Sequence, residues 1–285
     1  MKDLGTPILD NHLHLDREGQ GIEAVKDFAR SGGTHLLVVN RPSWHLGIEA
    51  ETREDFDAVF EATRSLVSDA SGVLPGTAWP VLGVHPALIS RLVDDRGMDV
   101  ESATDLMKAG LEVAGEYAAA GDAVAIKSGR PHYDVDSAVW DASNAVLRHA
   151  LEVAADADVA VQLHTEETED LGDIGEWARD VGLTPERVVK HYSTGRTAGV
   201  TPSVMSEKAY LRTAIDRAKP FLMETDFIDD PERPGAVMGP KTVPRRVNWL
   251  LENGHEEAVE RAHVETPEVV YGLDTRATLD GGTNP

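Results

Sequence analysis

The chain has 285 residues, with 50 acidic and 27 basic side chains, a formal net charge of −23 and no cysteine. The lack of cysteine excludes disulfides, thiolate metal sites and a cysteine nucleophile. The negative field repels polyanions at low salt, which disfavours a nucleic-acid-binding module without chemistry. Because the acidic residues are spread along the whole chain, we interpret them as the halophilic composition of a salt-loving cell.

Short β-branched segments alternate with longer helical patterns along the sequence. Strands are predicted at residues 7–14, 34–40, 78–85, 123–128, 159–165, 187–192, 199–204 and 220–226. Helices are predicted at residues 51–70, 102–120, 137–156, 172–181, 206–218 and 244–253, with a closing turn from Thr266. Strands joined by helices run parallel, and eight such units predict an α/β protein with a TIM-type (β/α)8 barrel.

The ends of the chain predict one domain with a short tail. We expect the barrel to occupy residues 1–273 and residues 274–285, which end in GGTNP, to form a flexible tail. The chain enters a strand after six residues without a secretion signal, and no apolar segment approaches the ~18 residues of a membrane span. We therefore expect a cytoplasmic protein with no membrane partner.

The segment DNHLHLD at residues 10–16 indicates a metal site. In an extended strand, His12 and His14 point to the same side and can bind one ion. Four more candidate ligands stand at the ends of later predicted strands. These are Lys127 in AVAIKSG, His164 in VAVQLHT, His191 in RVVKHYS and Asp226 in FLMETD. Because the carboxyl ends of barrel strands meet at one mouth, these six side chains are predicted to converge there.

This pattern resembles the amidohydrolase superfamily and, within it, the TatD-like metal-dependent hydrolases. The resemblance extends over GVHP at 83–86, LH at 163–164, KH at 190–191 and ETD at 224–226. More narrowly, GRPHYDV at 129–135, DDPERPG at 229–235 and GPKTVPRR at 239–246 resemble an archaeal TatD-related group. The resemblance implies that His12, His14 and Asp226 bind a first metal and that His164 and His191 bind a second.

Lys127 departs from the TatD pattern, in which the bridging residue on strand four is a glutamate. The phosphotriesterase-like branch has a lysine there, and carbon dioxide carboxylates it. An ammonium group beside two cations is unfavourable and has no lone pair, so a bridging Lys127 requires this modification. Two alternatives remain: a free amine beside a mononuclear centre of the adenosine-deaminase type, or a structural lysine in a shifted register or beside a site without metals.

The implied reaction is hydrolysis by a metal-activated water, with Asp226 as the general base. Mixed imidazole and carboxylate ligands favour one or two ions of zinc or manganese, and magnesium suits them less. The resemblance suggests a substrate contact for His85, at the end of the third predicted strand. Arg130 and His132, just past Lys127, could supply positive charge to an anionic group of the substrate.

The predicted substrate is a small molecule or nucleotide, and hydrolysis of a phosphoester bond is the first predicted activity. Nucleic acid is predicted as a possible substrate only and not as a separate binding partner. Lys127 favours an alternative activity on a lactone or a C–N bond, and a mononuclear site would favour a deaminase-like hydrolase. A metal-binding barrel without catalysis is a further hypothesis, which retention of Asp226 argues against. The sequence gives no prediction of the oligomeric state.

Overall fold

The computed structural model describes residues 5–230, 232 and 238–279. Within these residues, nine strands form one sheet whose pairings are all parallel. The strands are β1 (Leu9–His14), β2 (His35–Val39), β3 (Ala78–Gly83), β4 (Ala125–Gly129), β5 (Ala160–His164), β6 (Val188–Ser193), β7 (Thr201–Met205), β8 (Leu222–Glu224) and β9 (Phe227–Ile228).

Each of the eight predicted strands has a counterpart, but the last one is divided. The spatial order is β8-β7-β6-β5-β4-β3-β2-β1-β9, so β1 has β2 on one side and β9 on the other. In the region of the predicted strand at 220–226, β8 ends at Glu224, and β9 begins at Phe227 after a gap of two residues. A parallel sheet with helical connections that curls in this way is consistent with a TIM-type barrel.

Helices connect most of the strands and cover the outer face of the sheet. They are α1 (Ile22–Arg30), α2 (Asp55–Ser71), α3 (Leu88–Ser90), α4 (Val100–Ala119), α5 (Ser137–Asp156), α6 (Gly172–Asp180), α7 (Lys208–Asp216), α8 (Thr242–Glu252), α9 (Glu256–Glu260), α10 (Thr266–Tyr271) and α11 (Thr275–Leu279). The predicted helices correspond to α2, α4, α5, α6, α7, α8 and α10. The sequence analysis missed α1, although Ala24, Val25 and Phe28 form its buried face.

Alternating strand residues divide the core into an inner and an outer layer. In β2, Leu37 and Val39 belong to the cluster inside the sheet, whereas Leu36 and Val38 pack against helices. This is the period of two that a pleated strand imposes. The inner cluster also contains Tyr271, at the end of α10. A residue close to the end of the chain therefore lies inside the sheet.

The segment predicted as a flexible tail, residues 274–285, begins with a short helix. Residues Thr275–Leu279 form α11, in which Thr275 and Thr278 are buried. The Thr278 hydroxyl lies 2.9 Å from Nε2 of His35, at the start of β2. The remaining tail residues, 280–285, lie outside the described part of the chain. Residues 231 and 233–235 of the DDPERPG motif and the next two residues, 236 and 237, also lie outside it.

Candidate metal centre

The two histidines of the first strand approach the same carboxylate. β1 is irregular between Asp10 and Leu13, where its pairing with β2 shifts register. Beyond this irregularity, Nε2 of His12 lies 3.8 Å and Nε2 of His14 lies 3.9 Å from Oδ1 of Asp226. The side chains of His12 and His14 thus reach one point, as their spacing predicts.

Asp226 occupies the gap between β8 and β9. Its φ angle is 47°, in the left-handed region that few residues other than glycine adopt. Its backbone N–H donates to the carbonyl oxygen of His12 at 3.0 Å. Thr225 donates from its backbone N and its hydroxyl to the carboxylate of Asp10, at 3.0 and 2.7 Å. These bonds hold the strained backbone in place and direct the Asp226 carboxylate towards the histidines.

His12, His191 and Asp226 form a group that could hold a metal ion. One ligand atom of each lies within 4.8 Å of the others, and all three residues are buried. The rings of His12 and His191 are stacked, with centroids 4.1 Å apart and 10° between their planes. Two imidazoles and a carboxylate suit zinc or manganese. The resemblance assigned His191 to a second metal with His164, whereas this group joins His191 to His12.

Burial keeps the imidazoles neutral and available as ligands. Burial lowers the pKa values of His12 and His191 well below the usual range of histidine, and it lowers the pKa of His14 to about 3. Repulsion from the charge of Lys127 lowers these pKa values further. A neutral imidazole retains a lone pair for a metal ion. Burial raises the pKa of Asp226 to about 7, although the charges of nearby lysines oppose this shift.

Lys127 lies on β4 and reaches the same point. Its side chain is buried, and its Nζ atom lies 3.4 Å from Nε2 of His12. Burial lowers the pKa of Lys127 to about 7, while the charges of Asp226 and Glu224 oppose the shift. Burial thus favours the neutral amine of Lys127, which is the form that reacts with carbon dioxide.

Three further histidines extend the cluster towards solvent. Nδ1 of His164 lies 2.8 Å from Nε2 of His191, and Nε2 of His164 lies 2.8 Å from Nδ1 of His132, which is exposed. The ring of His85 is centred 4.6 Å from that of His164. Two predicted substrate ligands, His85 and His132, thus contact the predicted metal ligand His164. Their roles remain predictions.

The guanidinium of Arg130 contacts acidic groups of the protein, and its role as a substrate ligand remains a prediction. Nε donates to Glu166 at 3.1 Å, Nη1 donates to Asp173 at 2.9 Å, and Nη2 also donates to Glu166. The guanidinium carbon lies 5.1 Å from the ring centroid of Trp140 and 5.8 Å from that of Trp177. With both edges and a face in use, Arg130 fixes the loop after β4, and these contacts do not support a substrate ligand.

A buried polar network, which was not predicted from the sequence, lies behind the ligands. Nδ1 of His12 lies 2.7 Å from Oε1 of Gln162, and Nε2 of Gln162 donates to the hydroxyl of Tyr271 at 2.9 Å. That hydroxyl donates to Oδ1 of Asn11 at 2.9 Å. Gln162 interrupts the apolar segment VAVQLH, which is the signal that could have revealed it, whereas Asn11 stands between Asp10 and His12 in a polar segment. No pattern in the sequence marks Tyr271.

The network continues to the second stacked histidine. Nδ2 of Asn11 donates to the hydroxyl of Ser203 at 2.9 Å, and Ser203 donates to the carboxylate of Glu224. Oε1 of Glu224 accepts from the backbone N of Tyr192 at 2.6 Å and lies 3.4 Å from Nδ1 of His191. The hydrogen bonds therefore run from Nδ1 of His12 to the carboxylate of Glu224. Nδ1 of His191 lies 3.4 Å from this carboxylate and makes no hydrogen bond within the described residues. Such outer partners fix ring orientation at metal sites.

A parallel α/β sheet with imidazole, lysine and carboxylate groups at the carboxyl edge defines the class of barrel-type metal-dependent hydrolases. In the described part of the chain, no helix is long and apolar enough to span a bilayer. Residues 9–272 match the family of TatD related DNases, and the chain belongs to that family. It is accordingly a hydrolytic enzyme, and the predicted TatD resemblance is confirmed.

The chain is also similar to proteins of other organisms. The chain is 35% identical to an uncharacterized protein of Methanocaldococcus jannaschii, over 94% of this chain and 96% of that protein. A TatD-like protein of Archaeoglobus fulgidus superimposes with a TM-score of 0.59 at 17% identity, over 93% of this chain and all of its own. A variant of the organophosphorus hydrolase of Deinococcus radiodurans superimposes with a TM-score of 0.61 at 14% identity, over 95% of both chains. At these identities the two structures show a shared fold.

Proposed function

We propose that the chain hydrolyses a phosphoester bond in a nucleotide-like substrate, with one or two divalent metal ions held at the carboxyl edge of the sheet. The observation that carries this proposal is the buried group of His12, His191 and Asp226, whose ligand atoms lie within 4.8 Å of one another. Membership of the TatD related DNase family supports phosphoester chemistry, since the family is described by its nuclease activity. In this proposal the chain is a single cytoplasmic domain. Its sheet is a complete eight-stranded barrel, in which β8 and β9 together form the eighth strand.

The protein groups hold and orient the reactants. When bound, the metal lowers the pKa of a coordinated water and polarises the scissile phosphoryl oxygen. His14 and His164 complete the set of ligands, the former next to Asp226 and the latter next to His191. Asp226 accepts the proton of the attacking water, since its carboxylate lies beside both histidines of β1.

Lys127 is the bridging ligand in this proposal, after carboxylation by carbon dioxide. The neutral Nζ atom attacks the carbon of carbon dioxide and forms an N–C bond, one C=O π bond opens onto oxygen, and the nitrogen releases a proton to water. The product is a carbamate whose single negative charge is shared by two oxygens. The position of Nζ, 3.4 Å from His12, and its burial support this assignment. Lys127 also favours a second candidate function, hydrolysis of a lactone, a phosphotriester or a C–N bond.

Metal stoichiometry tests the site directly. Protein purified in high salt with bicarbonate is compared with Lys127→Ala and with Lys127→Glu, which carries the residue typical of TatD-like enzymes. We expect two zinc ions per chain in the wild type, one or fewer in Lys127→Ala, and two in Lys127→Glu. One metal in all three proteins would make Lys127 a bystander and favour a mononuclear, deaminase-like centre.

Substrate screening then separates the two candidate functions. The wild type is assayed on bis(p-nitrophenyl) phosphate, a phosphotriester, a γ-lactone and an aryl amide. Asp226→Asn, which removes the base but keeps an oxygen ligand, is expected to abolish hydrolysis of whichever bond is cleaved. Full activity in Asp226→Asn would refute the assignment of the base. Hydrolysis of the lactone without the phosphodiester would replace the first candidate by the second.

A further inference from the structure

A cavity of about 290 Å³ lies at the amino edge of β6, β7 and β8, at the opposite end of these strands from the metal centre. Its wall includes Glu186, which precedes β6, Thr201 at the start of β7, and Phe221, which precedes β8. No candidate metal ligand is among the described residues that line it. The cavity is therefore separate from the metal centre.

The connection from β6 to β7 leaves room for this cavity, because it contains no helix within the described residues. At least one helix joins every other consecutive pair of strands from β1 to β8. The short segment 194–200 takes the place of a helix, and its Ala198 accepts from the backbone N of Leu171 at 3.0 Å. A Cβ atom on Gly175 of α6 would lie 2.6 Å from the carbonyl oxygen of Gly199, so this segment packs directly on α6. Because the segment is thinner than a helix, space remains between α6, α7 and α10.

The cavity wall carries a buried hydroxyl that has no partner in the described part of the chain. Thr266, the first residue of α10, is 2% exposed, and its Oγ1 atom makes no hydrogen bond there. The Thr201 hydroxyl on the same wall donates to the carbonyl oxygen of Glu186 at 2.8 Å. The Thr197 hydroxyl lies 2.8 Å from that of Ser193. Buried hydroxyls are rarely left unpaired, because burial without a hydrogen bond is costly. Thr266 is therefore available to an acceptor atom of a bound molecule.

Three exposed cations belong to the same wall. Arg179 lies in the last turn of α6, Arg217 follows α7 directly, and Lys219 comes two residues later. Their side chains form no ion pair or hydrogen bond with any other described residue. A cation at the carboxyl end of a helix also stabilises that helix, which accounts for Arg179 and Arg217 but not for Lys219. Glu186 is the single acidic residue among the described residues of the wall, so this wall is positive in a chain of charge −23.

The rest of the wall is mainly apolar. Val269 of α10 is 61% exposed, more than any other large hydrophobic residue in the described chain. Pro185, Pro220 and Phe221 lie on the same wall. Ligand cavities usually measure about 300–1,000 Å³ and combine apolar walls with a few polar groups. This cavity thus has the composition of a ligand site, and its volume of about 290 Å³ suits a small molecule.

We infer that this cavity binds a small organic anion with an apolar body. The negative group faces Arg179, Arg217 and Lys219, the apolar body covers Val269, and an acceptor atom receives the hydrogen bond of Thr266. A neutral molecule without an acceptor would leave both the cations and the buried hydroxyl without partners. The inference does not rest on the proposed function, because the metal centre contributes no group to the cavity.

Fluorescence titration with a matched pair of dyes tests the negative group. Zinc-loaded protein at low salt is titrated with 8-anilinonaphthalene-1-sulfonate and with N-phenyl-1-naphthylamine, which is the same dye without the sulfonate. We expect one anionic dye per chain, bound about tenfold more tightly than the neutral dye. The preference should fall to about threefold in Arg217→Gln, which removes one exposed cation. Arg245→Gln is the control, because Arg245 is also exposed but does not line the cavity.

The variant Thr266→Val tests the buried hydroxyl, since valine keeps the branched shape of threonine. Because this hydroxyl has no partner among the described residues, we expect urea unfolding of the dye-free variant to show unchanged or higher stability. The anionic dye should bind about fivefold more weakly through loss of one hydrogen bond. Thr201→Val is the matched control, because that hydroxyl is already bonded to Glu186 and the variant should keep the dye affinity of the wild type.

Equal affinity for the two dyes, or a preference that persists in full in Arg217→Gln, overturns the anion site. An equal loss of preference in Arg245→Gln does the same, because net charge and not the cavity would then attract the dye. Wild-type dye affinity in Thr266→Val also overturns the inference, as does a clear loss of stability, which would assign the hydroxyl to the fold. Each of these results is independent of whether the protein hydrolyses a phosphoester.

Discussion

Replacement of Tyr271 by phenylalanine removes one hydroxyl from the centre of the buried network. That hydroxyl accepts from Gln162 and donates to Asn11, each at 2.9 Å. The ring of Tyr271 is retained in the variant, so its packing in the inner core changes little. Nε2 of Gln162 loses one of its two acceptors and keeps the carbonyl oxygen of Asn11 at 3.0 Å. Oε1 of the same amide faces Nδ1 of His12 at 2.7 Å.

Two effects of different size follow from this geometry. A buried donor and a buried acceptor lose their partner, and each unsatisfied group costs about 1–3 kcal/mol. We therefore expect Tyr271→Phe to lower the free energy of unfolding by roughly 2–4 kcal/mol, allowing for partial repacking. Because outer partners orient metal-binding histidines, we expect zinc affinity to fall about 10–100-fold.

Urea unfolding of the chelated protein measures the first effect, and competition with a coloured zinc chelator measures the second. Tyr117→Phe is a matched control, since its hydroxyl donates to the half-buried Asp57 at 3.2 Å and to the exposed Glu61 at 3.1 Å, away from the metal centre. This control should change stability by no more than about 0.5 kcal/mol. A Tyr271→Phe protein that is less stable but binds zinc with wild-type affinity would refute the positioning role, and one unchanged in both would refute the network.

Three other perturbations test separate parts of the structure. Glu224→Gln cannot accept from Ser203 and from the backbone N of Tyr192 as a carboxylate does, and we expect at least tenfold lower zinc affinity by chelator competition; wild-type affinity would contradict this. Burial lowers the pKa of His35 from 6.5 to about 4, so its contribution to stability is present above pH 6.5 and is lost as the pH falls towards 4. Urea unfolding between pH 7 and pH 4.5 gives the free energy of unfolding as a function of pH. Its slope should be smaller in His35→Gln than in the wild type by up to about 1.4 kcal/mol per pH unit, and identical slopes would refute this. The charge of −23 predicts a higher melting temperature in 2 M than in 0.1 M KCl, because the Debye length is about 10 Å at 0.1 M and only about 3 Å already at 1 M. Calorimetry that shows no increase would contradict a salt-adapted surface.

The order of strands and helices was predictable because each strand is a short β-branched segment and most helices have an apolar face. Residues at the strand ends, such as His12, His164 and His191, follow from the same pattern, since parallel strands deliver their carboxyl ends to one edge. The interruption of the last strand was not predictable. It depends on bonds from Thr225 and Asp226 to β1, and these partners lie at the opposite end of the sequence.

The buried network and the role of Arg130 show a second limit. Asn11, Gln162 and Tyr271 meet only after the sheet has curled, so their spacing in the sequence carries no signal. Arg130 stands next to a candidate ligand in the sequence, but Glu166 and Asp173 occupy its guanidinium in the structure. Proximity along the chain predicted the neighbourhood of that side chain and not its partners.

The break between β8 and β9 links metal supply to folding. Through Asp226, the same two-residue gap bonds the backbone of β1 and offers a carboxylate to His12 and His191. A metal held by these residues acts as a non-covalent cross-link between the first and last strands of the sheet. Any ligand that binds only the folded chain adds about 2.7 kcal/mol of stability at a hundredfold excess over its Kd. The yield of folded protein in a cell should therefore follow the availability of the metal, and scarcity would expose the edges of β8 and β9, the two terminal strands of the sheet.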